Sequence, residues 1–391
     1  MTAPRPFHNP RLDRRTREAA LADWLEATLF SSEDCAAAAE TIAAWPDYRP
    51  TQLLHLDELA ARLGVGDIAY KDESGRFGLG SFKALGGAFA VYGLLADEVE
   101  RRRGVRPTSA ELARGDHADI CGTLTIASAT AGNHGRSLAW GAQMFGCKAR
   151  IFVHSGVSDT RAQAIAAFGA KVVRTEGDYD ESVRTAAAAA LANGWTVVSD
   201  TSYAGYMEIP RRVMLGYSVI ATELFDQFAG QPFPTHVLLP AGVGGLAAAL
   251  AASLALRFGR DRPRIIVVEP EKADCLYQSA VHGRPTLASG GLGSFMLGLD
   301  CAQVSLIAWN VLDRLADDFV LISETDALRS MRQLNGVADI VAGECAGAGL
   351  AVLAADRAHL EALGLTPASR VLLIGTEGAT DPAASERLLR D

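Results

Sequence analysis

The chain is 391 residues long, with 49% apolar residues, 21% charged residues and a net charge of −9, the balance of an ordinary globular protein. At ~100–200 residues per domain the length suggests about two domains or one large one, enough to bury a core without disulfide or metal staples. The negative charge argues against non-specific nucleic-acid binding, which needs a basic surface, and no run of about 18 apolar residues is present to span a membrane.

The N-terminal stretch MTAPRPFHNPRLDRRTREAA has no apolar signal core, so the expected location is the cytoplasm. Six cysteines stand at 35, 121, 147, 275, 301 and 345. None forms a CxxC pair or a zinc spacing, so no metal site is expected, and scattered cysteines of this kind are read as reduced and buried.

The first segment with chemistry in it is Tyr70-Lys-Asp-Glu-Ser-Gly-Arg-Phe-Gly-Leu-Gly-Ser-Phe-Lys83. An apolar strand ends in charges, crosses a glycine-rich turn and enters a helix at AlaLeuGlyGlyAlaPheAla. Lys83 then falls in the first helical turn, where the helix dipole disfavours a cation. Such a lysine either points into solvent or is held for a reason; partly desolvated near positive dipoles, its pKa falls and it can form a Schiff base. The segment is not a P-loop, because Phe82 replaces the glycine that motif requires before its lysine. Residues 101–122 follow as a charged, irregular connection.

The apolar run 123–128 leads into Ser128-Ala-Thr-Ala-Gly-Asn-His-Gly135 and a helical stretch. Small residues at a helix N-terminus let backbone N–H groups approach an anion. Asn133 adds an amide that can donate to a phenolate or carbonyl oxygen. His134 is read as structural before catalytic. A second run, 149–154, precedes DTRAQAIAAFG, and GQPFP at 230–234 is another break.

The run 235–240 opens into Leu239-Pro-Ala-Gly-Val-Gly-Gly-Leu-Ala247, and clustered small residues between strand and helix cradle phosphate. Two ligands compete here. Gly242-x-Gly244-x-x-Ala247 satisfies the dinucleotide fingerprint in its Ala-ended form, and Glu269, at the end of the next run, stands where a ribose-binding acid would. By itself this segment favours NAD; a single phosphate monoester would use the same cradle. Finally Val371-Leu-Leu-Ile-Gly-Thr-Glu-Gly-Ala-Thr-Asp381 reads as a buried strand ending in a polar turn, which Ala342-Gly-Glu-Cys-Ala-Gly347 could join. Strands alternating with helices imply βαβ units, parallel sheet and an α/β fold, with the glycine loops gathered along one strand edge where a ligand should sit.

Taken jointly and in this order, the four segments resemble the fold-type II pyridoxal-phosphate enzymes from about residue 50 to 381. Within that family the chain most resembles the diaminopropionate ammonia-lyases. That resemblance rests on KDES…GLGSFKALGGAFA, the block Asp200-Thr-Ser-Tyr-Ala-Gly-Tyr-Met-Glu-Ile-Pro-Arg211, and VVEPEKADCLYQSAV with Gly343-Glu344 and GTEG. The resemblance implies two parallel-sheet α/β domains with the cofactor in the cleft between them. The large domain is expected from 1–94 and 236–391, the small inserted domain from 95–235, and the assembly is expected to be a homodimer. It implies pyridoxal 5'-phosphate as cofactor, with Lys83 as its Schiff-base lysine and Asn133 on its phenolic oxygen. Gly242, Val243, Gly244, Gly245 and Leu246 would form the phosphate loop. Thr130, Ala131 and Gly132 would lie along the substrate carboxylate, which backbone N–H groups bind, and Asp200 would be a carboxylate of the substrate site.

Two positions depart from the family pattern. In ammonia-lyases that also accept the D-substrate an aspartate stands at Ala131, and in the related serine racemase a serine does; alanine cannot move a proton, which predicts an enzyme for the L-isomer alone. A serine commonly meets the pyridine nitrogen at Gly375, and Thr376 is the neighbouring substitute, although strand alternation aims it the other way. The expected reaction is α,β-elimination on a small L-amino acid, 2,3-diaminopropionate before serine, threonine or a hydroxyaspartate. An NAD-dependent dehydrogenase built on Gly242–Ala247 and Glu269 is the alternative of a different class, and an inactive binding protein the blandest.

Overall fold

The computed structural model describes residues 6–14, 18–130 and 132–390. Among the described residues eleven strands form two sheets. They are β1 (Phe7–His8), β2 (Gln52–His55), β3 (Asp67–Asp72), β4 (Thr125–Ala129), β5 (Lys148–His154), β6 (Lys171–Thr175), β7 (Thr196–Val197), β8 (His236–Pro240), β9 (Arg264–Pro270), β10 (Asp318–Ile322) and β11 (Arg370–Gly375).

The seven-stranded sheet runs β1-β10-β9-β8-β11-β3-β2. Its inner neighbours are parallel, and the short edge strands β1 and β2 pair antiparallel. Strands β8 and β10 are buried along their whole length, which is why they read as unbroken apolar runs: a parallel sheet is covered on both faces. Along β11 the alternation is plain. Leu372 and Ile374 join one core cluster, Val371 and Leu373 the other, so the sheet separates two hydrophobic layers. The four-stranded sheet, β6-β5-β4-β7, is wholly parallel and has a small core of its own around Ala127, Phe152, Ala186 and Ala190.

The helix Lys83–Arg103 links the two sheets by packing against both Asn133–Phe145 and Glu208–Gln227. The second contact depends on Gly86: a Cβ there would lie 2.4 Å from the Tyr217 ring and 2.5 Å from Val213 O. The connection expected to be irregular at 101–122 contains two short helices, Ser109–Arg114 and Ala118–Cys121. The first is held by a capping box, in which Thr108 and Glu111 satisfy each other's backbone N–H groups; that pattern was present in the sequence among the charges.

The parallel strands bring the C-terminal ends of β3, β8 and β11 to one edge of the large sheet. The loops leaving β4 and β7 arrive from the smaller sheet.

Candidate active site

Lys83 begins its helix as expected, with Phe82 in the cap position and no side chain capping the first turn. Its Nζ donates to Asp200, in the loop after β7, and about a fifth of each side chain is exposed, 22% and 21%. The expectation of a lowered lysine pKa is corrected here. Burial does pull the ammonium down, but the Asp200 carboxylate outweighs it and holds Lys83 above its ordinary value. Burial likewise pushes Asp200 up, and the charges of Lys83 and His134 more than reverse it, leaving the carboxyl well below the usual range. The two groups are therefore a charged pair.

The glycine loop 242–246 leaves β8 and enters the helix Gly245–Phe258. Gly244 caps that helix with φ +95°, a left-handed conformation suited to glycine. A Cβ on Gly242 would lie 2.8 Å from Gly298 O and 2.9 Å from Cys301 Sγ. The first N–H groups of the helix have no partner within it and sit at the positive end of its dipole, a cradle for an anion. Cys275 also borders this loop, with Sγ 3.6 Å from Gly242 O, and all six cysteines are free thiols.

Glu269 does not face this loop as a ribose ligand. It is buried, and it accepts the N–H groups of Leu276 at 2.8 Å and Tyr277 at 2.6 Å, closing the start of the helix Cys275–His282. The fingerprint spacing was therefore fortuitous, since its acid serves a helix end.

In the loop after β4, Asn133 donates through Nδ2 to Glu377. The Thr130 N–H donates to Phe152 O at 3.0 Å, which leaves the Thr130 hydroxyl as the group it can present; that oxygen accepts the Gly132 N–H at 3.4 Å. Ala131 lies outside the described residues. His134 is buried and its Nε2 meets Val198 O at 3.2 Å, consistent with its structural reading. Burial lowers its pKa.

The segments 342–347 and 371–381 do meet. Gly343 N donates to Glu377 O at 2.9 Å, Ala342 bridges Gly378, and Cys345 N donates to the Glu377 carboxylate at 3.3 Å. Arg161, from the smaller layer, reaches Glu344 at 3.2 Å and Asp381 at 3.5 Å, so ion pairs tie the two layers beside the site. Thr376 is buried; its carbonyl accepts the Phe82 N–H at 3.2 Å and its hydroxyl has no partner.

Three residues here escaped sequence reasoning. Tyr217 lies between Gly86 and Gly245, and its hydroxyl is buried without a partner. Glu377 stood in the GTEG motif but was given no role. Tyr70 is fully buried, also with an unpartnered hydroxyl. Unpaired buried hydroxyls are costly and rare in folded proteins. Tyr217 stands by Lys83 and Gly245, and Tyr70 by Gly375 and Glu377, so each marks a place at these strand and loop ends where a polar ring compound would complete the hydrogen bonding. The donor set fits pyridoxal phosphate: an amine for its aldehyde, N–H groups for its phosphate and Asn133 for its phenolic oxygen. No group of His, Cys, Asp and Glu among the described residues could hold a metal ion.

The family described as "Pyridoxal-phosphate dependent enzyme" matches residues 44–377. The chain belongs to that family. It is 37% identical to the diaminopropionate ammonia-lyase of Escherichia coli K12 over 366 residues, 90% of each chain. It is 36% identical to the enzyme of the same name from Salmonella typhimurium over 360 residues, 88% of this chain and 89% of the other. The crystal structure of the Escherichia coli enzyme in complex with D-serine superposes with a TM-score of 0.87 at 34% identity, covering 98% of this chain and 96% of that one. Fold-type II architecture and dependence on pyridoxal 5'-phosphate follow from family membership. Among the described residues no helix is long and apolar enough to cross a membrane.

Proposed function

We propose that this protein is a pyridoxal-phosphate-dependent ammonia-lyase that converts L-2,3-diaminopropionate and water to pyruvate and two molecules of ammonia. The observation that carries this reading is Asp200 paired with Lys83. With Lys83 given over to the cofactor's aldehyde, Asp200 would be without its ammonium partner. A substrate carrying a second ammonium group at its β-carbon replaces it. An amine leaves poorly unless protonated, and a carboxylate beside the β-nitrogen favours its protonated form until it departs. The relatives named above, both diaminopropionate ammonia-lyases, support the same substrate.

The cofactor, when bound, supplies an electron sink for the carbanion formed at the α-carbon. The chain's own residues do the rest. Lys83 would hold the cofactor and, as the amine beside the α-carbon, would take the α-proton. Asn133 would orient the ring through its phenolic oxygen, and Gly242, Val243, Gly244, Gly245 and Leu246 would hold the phosphate by their N–H groups. Thr130 and Gly132 would meet the substrate carboxylate, and Thr376 would stand at the strand end beside the ring. Ala131 has no group to exchange a proton, so Lys83 is the base for the α-proton and the L-isomer is the substrate. We infer a cytoplasmic homodimer as the working form.

Purified enzyme offered L- and D-2,3-diaminopropionate, L-serine, L-threonine and both hydroxyaspartates, scored by 2-oxo acid release, tests this directly. L-Diaminopropionate is expected to turn over fastest and the D-isomer negligibly. Faster release from serine or a hydroxyaspartate would make the protein a dehydratase, and comparable rates on both diaminopropionate isomers would remove the stereochemical claim.

A further inference from the structure

The strand end at Gly375 is where the cofactor's ring nitrogen needs a partner. That nitrogen lies across the ring from the aldehyde carbon. With the aldehyde at Lys83, the phosphate at 242–246 and the phenolic oxygen at Asn133, it would face the exit of β3 and β11. Gly375 has no side chain to offer.

The space that side chain would take is already filled. A Cβ on Gly375 would lie 2.2 Å from the Tyr70 hydroxyl and 2.3 Å from the ring carbon that bears it. Tyr70 is paired in register with Leu373, two residues before Gly375 on the adjacent strand. Its ring therefore leans along the sheet toward the strand ends and brings its hydroxyl over Gly375. The side chain is fully buried, and that hydroxyl has no hydrogen-bond partner. No serine could stand at 375 while a tyrosine stands at 70.

We propose that Tyr70 supplies the hydroxyl that hydrogen-bonds the ring nitrogen of pyridoxal phosphate, with Gly375 as the vacancy that admits it. The inference rests on the cofactor reading above and adds a residue to it. Thr376 is the competing hydroxyl. It lies on the next residue, where alternation along the strand turns its side chain to the opposite face, and its carbonyl is tied to Phe82. Glu377 is the competing acid, and it is already engaged by Asn133 and the Cys345 N–H. Burial, with Asp72 and Glu377 nearby, raises the Tyr70 pKa, so the phenol keeps its proton and acts as a donor. A phenol donating to a pyridine nitrogen leaves that nitrogen unprotonated, whereas a carboxylate would hold it as pyridinium.

The experiment is reconstitution of apoenzyme with pyridoxal phosphate labelled with ¹⁵N in the ring, read by the nitrogen chemical shift and by cofactor affinity. The parent is expected to show a neutral, hydrogen-bonded nitrogen. Tyr70→Phe should shift that signal to the value of a neutral nitrogen without a donor and weaken cofactor binding by about three- to tenfold, the loss of one neutral hydrogen bond. Thr376→Val should leave the signal in place. Gly375→Ser alone should load cofactor poorly because of its collision with the phenol, and Tyr70→Val combined with Gly375→Ser should recover both the signal and the affinity. A pyridinium signal in the parent, or an unmoved signal in Tyr70→Phe, overturns the assignment. A parent that takes up no cofactor at all would overturn the cofactor reading itself.

Discussion

Two lysines twelve positions apart, Lys71 and Lys83, both sit against a carboxylate inside the protein, and they do opposite things. Lys71 is completely buried at 0% exposure, and its ammonium donates to Glu223 at 2.6 Å, Thr51 O at 2.9 Å and Gln227 at 2.9 Å. Glu223 is itself held by Arg76 at 2.6 Å, and Arg76 also grips Glu73 at 2.8 Å. All three protons of the Lys71 ammonium are used, so no place is left for a ligand. Lys83 has one carboxylate and a partly open surface. A saturated buried pair pins the strand β3 and its turn to the helix Glu208–Gln227. An unsaturated one can exchange its partner, which chemistry requires.

Replacing each lysine separates these roles. Lys83→Ala is expected to lower kcat/KM by on the order of 10³ or more, since one group both anchors the cofactor and moves the α-proton. Borohydride should then fix no pyridoxyl group to the chain, while the apoenzyme still folds, with a smaller loss of stability than in Lys71→Met because both partners of this pair are partly open to solvent. Asp200→Asn, tested on L-diaminopropionate, is expected to cost about 10²–10⁴ in kcat/KM while leaving the cofactor attached. Unchanged kinetics would take Asp200 out of the scheme. Lys71→Met should reverse the pattern. Breaking a buried pair destabilises by about 3–5 kcal/mol, and because Arg76 still holds Glu223 the lower end is expected, on the order of 3 kcal/mol in urea unfolding. Activity per folded molecule should survive. If Lys71→Met instead abolished turnover in a stable protein, the contrast between the two pairs would fail.

Sequence alone distinguished these lysines only in part. Lys83 was legible because its surroundings are local: a glycine-rich turn and a helix start within a few residues. The same holds for the cradle at 242–246 and for strands β8, β9 and β11, whose centres are uninterrupted apolar runs. The edge strand β1 and β7, each two residues long, carry too little pattern to be read. The Lys71 network was invisible because Glu223 stands 152 residues away. Tyr217 and Tyr70 were missed for a related reason. Each fills space left by a glycine on another element, Gly86 in one case and Gly375 in the other. A glycine in a sequence shows that something approaches closely, but only the fold shows what.

Glu269 extends the comparison to a buried acid with no cation at all. It is satisfied only by two backbone N–H groups and a thiol. Burial pushes its carboxyl up to about 8 from 4.5, and those hydrogen bonds recover only part of the shift. Glu223 and Asp200, held by cations, move the opposite way. The folded protein therefore keeps a proton on Glu269 that the unfolded chain releases from about pH 4.5 upward. Its contribution to stability is complete below that value and is lost as the pH rises through about 8. Glu269→Gln keeps an oxygen for one of the Leu276 and Tyr277 N–H groups, gives up the other, and removes the titration. Urea unfolding of the two proteins at about pH 5 and about pH 8 should show the parent losing more stability than the variant across that interval. Parallel losses would mean that Glu269 is already ionised in the folded protein, and that two backbone N–H groups can do for a buried carboxylate what Lys83 does for Asp200.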